Sequence, residues 1–476
     1  MSKEKNKAIL ATIWSVFERL SNQLVGFVIG IVLARLLSPY EYGVVGLTTI
    51  FIAVCNVFVD SGFGNALIRK PHCSEEEFST AFYFNVAIGV AVYLLLFFSS
   101  PVIAVFFDEE ALSTLIRIIA LSVLLNSFCI VQTAILTSQL NIRLLAIINI
   151  CAQIPAGLVA IYFAYHHFGI YALAVQIVFA SFLKTAFLWL FGHWRPKAFF
   201  SKDSFSYLWG FGSKLLAASL IGAVFDRIYN VLIGKYIGKI ELGYFSKASQ
   251  LQGNVDGITT GIVAKVALPV LASHQKDKRE LAEKYREIMR LLVMVISPIT
   301  AALCVSSDNI IVLLWSEKWL MSAPLFKFLI VGALFLPIAQ LSLILLQVVE
   351  RTDLILSLEY PKKTIYAIFI AIGFYNGVYG LCIAIIAINI TAALINMFAT
   401  RSIIRYSYIR QIIDLSRYMV VALISALLVM FVHVSDSNII IIFTNFCFIF
   451  AFYYIILYFC KDEMVSKYFS IIKNCL

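Results

Sequence analysis

The chain has 476 residues, 61% of them hydrophobic and only 13% charged, with a formal net charge of +10 and a mean hydropathy of +0.92. Ordinary globular proteins run at about 45–50% apolar and about 25% charged, and a soluble fold of this length could not hide so much apolar surface. A soluble enzyme, a nucleic-acid-binding domain and a disulfide scaffold are excluded, and the chain reads as an all-α integral membrane protein.

In chain order, Lys3, Lys5 and Lys7 precede an apolar run that contains Glu18 and Arg19 and lacks a small-residue cleavage site. It reads as an uncleaved first span rather than a signal peptide. An apolar run of about 20 residues crosses the hydrocarbon core. On that measure spans are predicted near 12–34, 44–66, 79–98, 116–138, 144–165, 170–191, 209–232, 244–268, 291–313, 324–348, 364–376 with flanks, 378–400, 418–434 and 438–459, fourteen in all. Pro101 leaves an apolar tail after the third, and the eleventh is the shortest. Between the eighth and ninth, Leu281, Tyr285, Ile288 and Leu292 share one helical face, which suggests a connector lying on the membrane surface.

Basic residues mark the cytoplasmic side of a membrane protein. With the N-terminus inside, cytoplasmic segments hold 25 of the 37 lysines and arginines, among them Arg405, Lys467 and Lys473. Outer segments hold five: Arg35, Arg117, Lys235, Lys239 and Lys318. Both termini are therefore expected in the cytoplasm.

An eleven-residue segment, Leu33 to Gly43, aligns at an offset of 200 with Ile233 to Gly243. Arg35 matches Lys235, Glu41 matches Glu241, and the glycines coincide. Six spans separate the copies, so both halves have the same orientation, as in a parallel repeat about an axis along the membrane normal. The expected layout is two six-helix lobes, 1–203 and 204–403, in a parallel pseudo-twofold repeat. Residues 404–476 add two C-terminal helices and a tail.

Eleven charges remain inside spans: Arg19, Lys184, Lys214, Arg227, Lys247, Lys265 and Lys327, with Glu18, Asp60, Asp226 and Asp256. Seven bases less four acids leave +3. A charge at the bilayer centre costs about 2.5–3.5 kcal/mol, so such groups face protein or a wet cavity. Eight of the eleven fall in spans 1, 7 and 8, which predicts a cavity between the lobes. Its candidate lining is Arg19, Asn22, Gln23, Arg227, Asn230, Lys247, Asn254 and Lys265, with Glu18, Asp60, Asp226 and Asp256 as cavity acids. The excess of positive charge suits an anionic, phosphate-bearing substrate. Lys184 and Lys327 lie within reach of a membrane face and read as snorkelling. Glu18–Arg19 and Asp226–Arg227 could instead be neutralising pairs, but adjacent residues do not face each other on a helix.

There is no phosphate-binding G-x-x-x-x-G-K-[ST] loop and no G-x-S-x-G motif. His72 and Cys73, His166–His167, His193, His274 and His433 form no metal-ligand pattern. No loop is long enough to house a catalytic domain, so no enzyme activity, cofactor or metal is expected.

The runs Ile13-Trp14-Ser15-Val16-Phe17-Glu18-Arg19, Phe27 to Gly43 and Asp60 to Arg69 resemble the polysaccharide transporter (Wzx-type flippase) family. That family belongs to the multidrug/oligosaccharidyl-lipid/polysaccharide exporter superfamily. The resemblance covers about the first 70 residues and the stretch 208–270. It implies a flippase in the bacterial inner membrane, moving an undecaprenyl-diphosphate-linked oligosaccharide for O-antigen, capsule or exopolysaccharide, with membrane lipid around it. It also implies a cavity lined by spans 1, 2, 7 and 8. Arg19 and Arg227 would face the diphosphate, while Asn22, Gln23, Asn230 and Asn254 would bond sugar hydroxyls. A proton or sodium gradient would drive net flow through Asp60, Asp226 or Asp256. A polysaccharide polymerase and chain-length machinery are implied partners. Two rival readings stay open, a drug/cation antiporter of the same superfamily and a membrane polysaccharide polymerase.

Overall fold

The computed structural model describes residues 2–70, 73–197, 199–401, 403–404, 406–431 and 437–466. His72, Arg405, His433, Lys467 and Lys473, and the side chains of Lys3, Lys5 and Lys7, lie outside the described residues. Among those described, helix is the only regular structure, as expected of a backbone that must satisfy its own hydrogen bonds in lipid.

Packing divides the chain into two units, Met1–Ser246 and Lys247–Leu476. The first holds α1 (Ser2–Leu36), α2 (Pro39–Asp60), α3 (Phe63–Arg69), α4 (Glu75–Phe107) and α5 (Ala111–Ser127). It continues through α6 (Ile130–Ser138), α7 (Ile142–Tyr165), α8 (Ile170–Phe191) and α9 (Lys202–Leu232) into the start of α10 (Lys239–Ser273). Its principal contacts run α1 to α7, α7 to α8, α5 to α4 and α8, and α2 to α5 and α9.

Local chemistry sets the helix ends. Ser38 and Glu41 form a reciprocal capping box at the start of α2, with Pro39 at its first position, and Ser74 and Glu77 do the same for α4. The chain breaks after α2 at Ser61 and Gly62, both with positive φ (49° and 71°). A side chain at Gly62 would meet the Gly212 backbone at 2.8 Å, so the break also seats the N-terminal third of α9. Beneath it, Phe63, Phe82, Val131 and Leu208 are buried among Phe128, Trp189 and Trp194.

The second unit holds the rest of α10, α11 (Lys278–Val305), α12 (Ser307–Trp315), α13 (Ser322–Ala333) and α14 (Leu336–Val348). It ends with α15 (Thr352–Phe374), α16 (Gly377–Thr400), α17 (Tyr408–Val429) and α18 (Asn438–Phe459). α16 packs on α13, α14 and α15, and α11 on α17, which in turn packs on α18.

Among the described residues, twelve helical segments are long and apolar enough to cross a membrane, and α5 with α6, bent by 41°, makes thirteen. This is a multi-pass membrane protein. The eleventh expected span falls on α15, a continuous helix that carries Asp353, Glu359, Lys362 and Lys363. Pro101 does not end the third, because α4 runs through it to Phe107.

The connector expected on the membrane surface is a correction. Residues 278–290 are the first turns of α11, continuous with the next span. Leu281, Tyr285 and Met289 are buried in the core of the second unit with Ile338, Leu341 and Met397. The apolar face was real, but it covers protein rather than lipid.

Candidate functional site

α1 lies along α7. Asn149 donates to Glu18 at 2.6 Å, Arg143 stacks over Trp14 at 5.3 Å, and a side chain at Gly26 would reach Gln153 at 3.0 Å. Glu18 is thereby turned toward α7, and its neighbour Arg19 is turned away and exposed. Asn22 and Gln23 are half-buried, and Asn22 Oδ1 is buried without a hydrogen-bond partner among the described residues.

On α9, Lys214, Ser219, Asp226 and Arg227 are exposed, and Asn230 is buried. Asn230 donates to Thr49 Oγ1 at 2.7 Å and to the Gly46 carbonyl at 3.4 Å, which fastens the C-terminal end of α9 to α2. A side chain added at Gly222 would meet nothing within 4 Å, and the same holds at Gly253 on α10.

α10 divides its polar residues between two surroundings. Lys247 is 1% exposed, hydrogen-bonded to Gln250 at 3.2 Å, with Trp315 and Trp319 rings 5.3 and 6.0 Å from its ammonium. Two ring faces replace part of the hydration that burial removes. Asp256 accepts from Gln252, and its Oδ1 is buried without a hydrogen-bond partner among the described residues. Asn254 is half-buried and Lys265 exposed. Arg19, Lys214, Asp226, Arg227 and Lys265 make no ion pair among the described residues.

Asp60 takes part in a different feature. It lines a cavity of about 360 Å³ in the first unit with Asn56, Asn65, Asn126, Thr133 and Lys184. Asn126 donates to Asn56 at 3.3 Å across it. Sequence reasoning set Lys184 aside as snorkelling and passed over the asparagines. A polar amide inside an apolar span is the signal that could have found them, by the rule applied to the charges.

No group of three His, Cys, Asp or Glu residues that could hold a metal is present among the described residues, and their eight cysteines are free thiols.

The family described as "Polysaccharide biosynthesis protein" matches residues 32–324, more than half of the chain. The chain belongs to that family. It is 30% identical over 282 residues to the teichuronic acid biosynthesis protein TuaB of Bacillus subtilis (strain 168), covering 58% of each chain. It is 22% identical to the lipopolysaccharide biosynthesis protein WzxC of Escherichia coli (strain K12), over 86% of this chain and 84% of that one. The match to TuaB thus spans under two thirds of its length. The fold is similar to that of the lipid II flippase MurJ in an inward closed conformation. That likeness has a TM-score of 0.74 at 15% identity, over 95% of this chain and 100% of the other. An inward-facing multidrug resistance MATE family transporter of the MOP superfamily gives a TM-score of 0.63 at 15% identity, over 80% and 94%.

Proposed function

We propose that this protein is a lipid-linked oligosaccharide flippase, translocating undecaprenyl-diphosphate-linked polysaccharide repeat units across the bacterial inner membrane by alternating access. Family membership and the flippase-like fold support it. The observation that carries it is the set of exposed charges on helices that cross the membrane. Of the eleven charges read as lying inside spans, Arg19, Lys214, Arg227 and Lys265 are exposed against the single exposed acid Asp226. Facing lipid, each would cost about 2.5–3.5 kcal/mol, so they line water, and the excess of bases attracts a diphosphate.

Fourteen spans follow in this reading when α15 is counted. They form lobes 1–203 and 204–403 with a C-terminal pair, and both termini are cytoplasmic by the distribution of basic residues. Arg19 and Arg227 hold the diphosphate, amides such as Asn22 and Gln23 meet sugar hydroxyls, and the polyprenyl tail stays in lipid. A proton or sodium gradient drives the cycle through Asp60, Asp226 or Asp256, and a polymerase takes up the product.

Lipid analysis of a deletion strain tests this. Unpolymerised polyprenyl-linked repeat units should accumulate on the cytoplasmic side, whereas accumulation on the outer side would indicate a polymerase. Restoring the gene should clear them, and the Arg19→Ala, Arg227→Ala double variant should not. The likeness to the MATE transporter favours a second reading, drug antiport. In that case the deletion strain would show drug sensitivity with normal lipid-linked intermediates.

A further inference from the structure

The two copies of the internal repeat touch each other, and they do so reciprocally. A side chain at Gly43 would overlap the Lys239 carbonyl, and one at Gly243 would overlap the Pro39 carbonyl. Positions 39 and 239, and 43 and 243, are equivalent across the offset of 200. One turn further along, a Cβ at Gly46 would lie 3.0 Å from Ser246 Oγ, again a pair related by the same offset. The start of α2 and the start of α10 therefore cross backbone to backbone about a local twofold. Small residues permit this approach, and it leaves few side chains interlocked. The Ser246 hydroxyl at the crossing has no hydrogen-bond partner among the described residues.

A second contact spans the same seam. The turn after α4 places Asp108 against Lys235 at 2.7 Å and Glu109 against Lys239 at 3.0 Å. Tyr40, beside the crossing on α2, donates to Glu109 at 2.5 Å. Two of the five outer basic residues are thus spent on this turn.

We propose that this crossing is the outer gate of the transporter, with Asp108 and Glu109 as a latch that holds it shut. The proposal rests on the flippase reading, which places these residues on the outer side and in different lobes. A glycine crossing gives a tight seal from backbone contact alone, and the pair of exposed Asp108 with Lys235 is weak enough to break and re-form in each cycle, while the more buried Glu109–Lys239 pair holds the closed state.

The geometry supplies its own test. With Ser246 Oγ 3.0 Å from the position of a Gly46 Cβ, the pair Gly46→Cys, Ser246→Cys places two thiols within reach of a disulfide. In the deletion strain, surface polysaccharide is measured for the double variant before and after reduction, with each single variant as control. The gate predicts output at the deletion level when oxidised and recovery on reduction. A disulfide confirmed by mass spectrometry that leaves output unchanged would mean a permanent contact and overturn the proposal. If wild-type protein fails to restore output, the flippase reading has failed instead.

A second measurement covers a double variant that is inactive even when reduced. A reporter cysteine at Gly222, which faces open space, is labelled from outside with a membrane-impermeant maleimide, using the parent chain as background. Asp108→Asn with Glu109→Gln should raise its labelling. Unchanged labelling would remove the latch from the proposal.

Discussion

Arg227 and Asn230 lie three residues apart on α9 and have opposite fates. The arginine is exposed and makes no ion pair among the described residues, whereas the asparagine is buried and bonded to Thr49. Substitution should separate them by readout. Asn230→Ala leaves Thr49 without its donor and should cost about 1–3 kcal/mol, measured as a lower unfolding temperature in detergent. Arg19→Ala and Arg227→Ala should leave that temperature unchanged within about 0.5 kcal/mol while abolishing transport. Equal loss of stability in all three would refute the assignment of the arginines to a wet surface. The charges were legible in the sequence because a charged residue in an apolar run is conspicuous. Their faces were not. Lys247 and Lys265 look alike along α10, but Trp315 and Trp319, some seventy residues away, close over only the first.

At the scale of elements, hydropathy placed most helices and misjudged what covers them. The amphipathic start of α11 could meet lipid or protein equally well by its pattern. The structure packs it on α17, where Arg286 meets Asp414 at 2.7 Å. The same packing brings the chain after α18 under α11. Asp462, fully buried, lies 3.0 Å from Arg417 and 3.7 Å from Arg290, and it accepts from Tyr418 and the Met464 backbone. One carboxylate thus ties α11, α17 and the end of α18 together. No local pattern reveals this, because the partners come from three separate stretches. Asp462→Ala would leave buried Arg290 with exposed Glu463, 3.2 Å away, as its remaining ion-pair partner among the described residues. Removing one member of a buried pair costs about 3–5 kcal/mol. A clear fall in unfolding temperature is expected, and none would show that the cluster is dispensable.

Over the whole molecule, the repeat and the charge balance bear on the proposed outer gate. The offset of 200 was legible as eleven aligned residues, but that the copies meet each other could come only from three dimensions. If the latch on that seam also sensed outer acidity, it would couple opening to a proton gradient. The charges around it argue otherwise. Asp108 is faced by Lys235 and by Lys239, and the hydrogen bond and charge of Lys235 hold its carboxyl below the ordinary value of 3.8. A carboxyl depressed in the closed state stabilises that state above the ordinary value, and the stabilisation is lost only as pH falls through the lowered one. Outside labelling of a Gly222→Cys reporter should therefore stay flat between about pH 5 and about pH 8, and rise only in stronger acid. Asp108→Asn should raise the baseline and remove the part of the acid-induced rise that Asp108 carries. A rise centred near neutral pH would transfer proton sensing to this turn and away from Asp60, Asp226 and Asp256. A flat profile would keep the proposed ion coupling with Asp60, Asp226 or Asp256 and away from this turn.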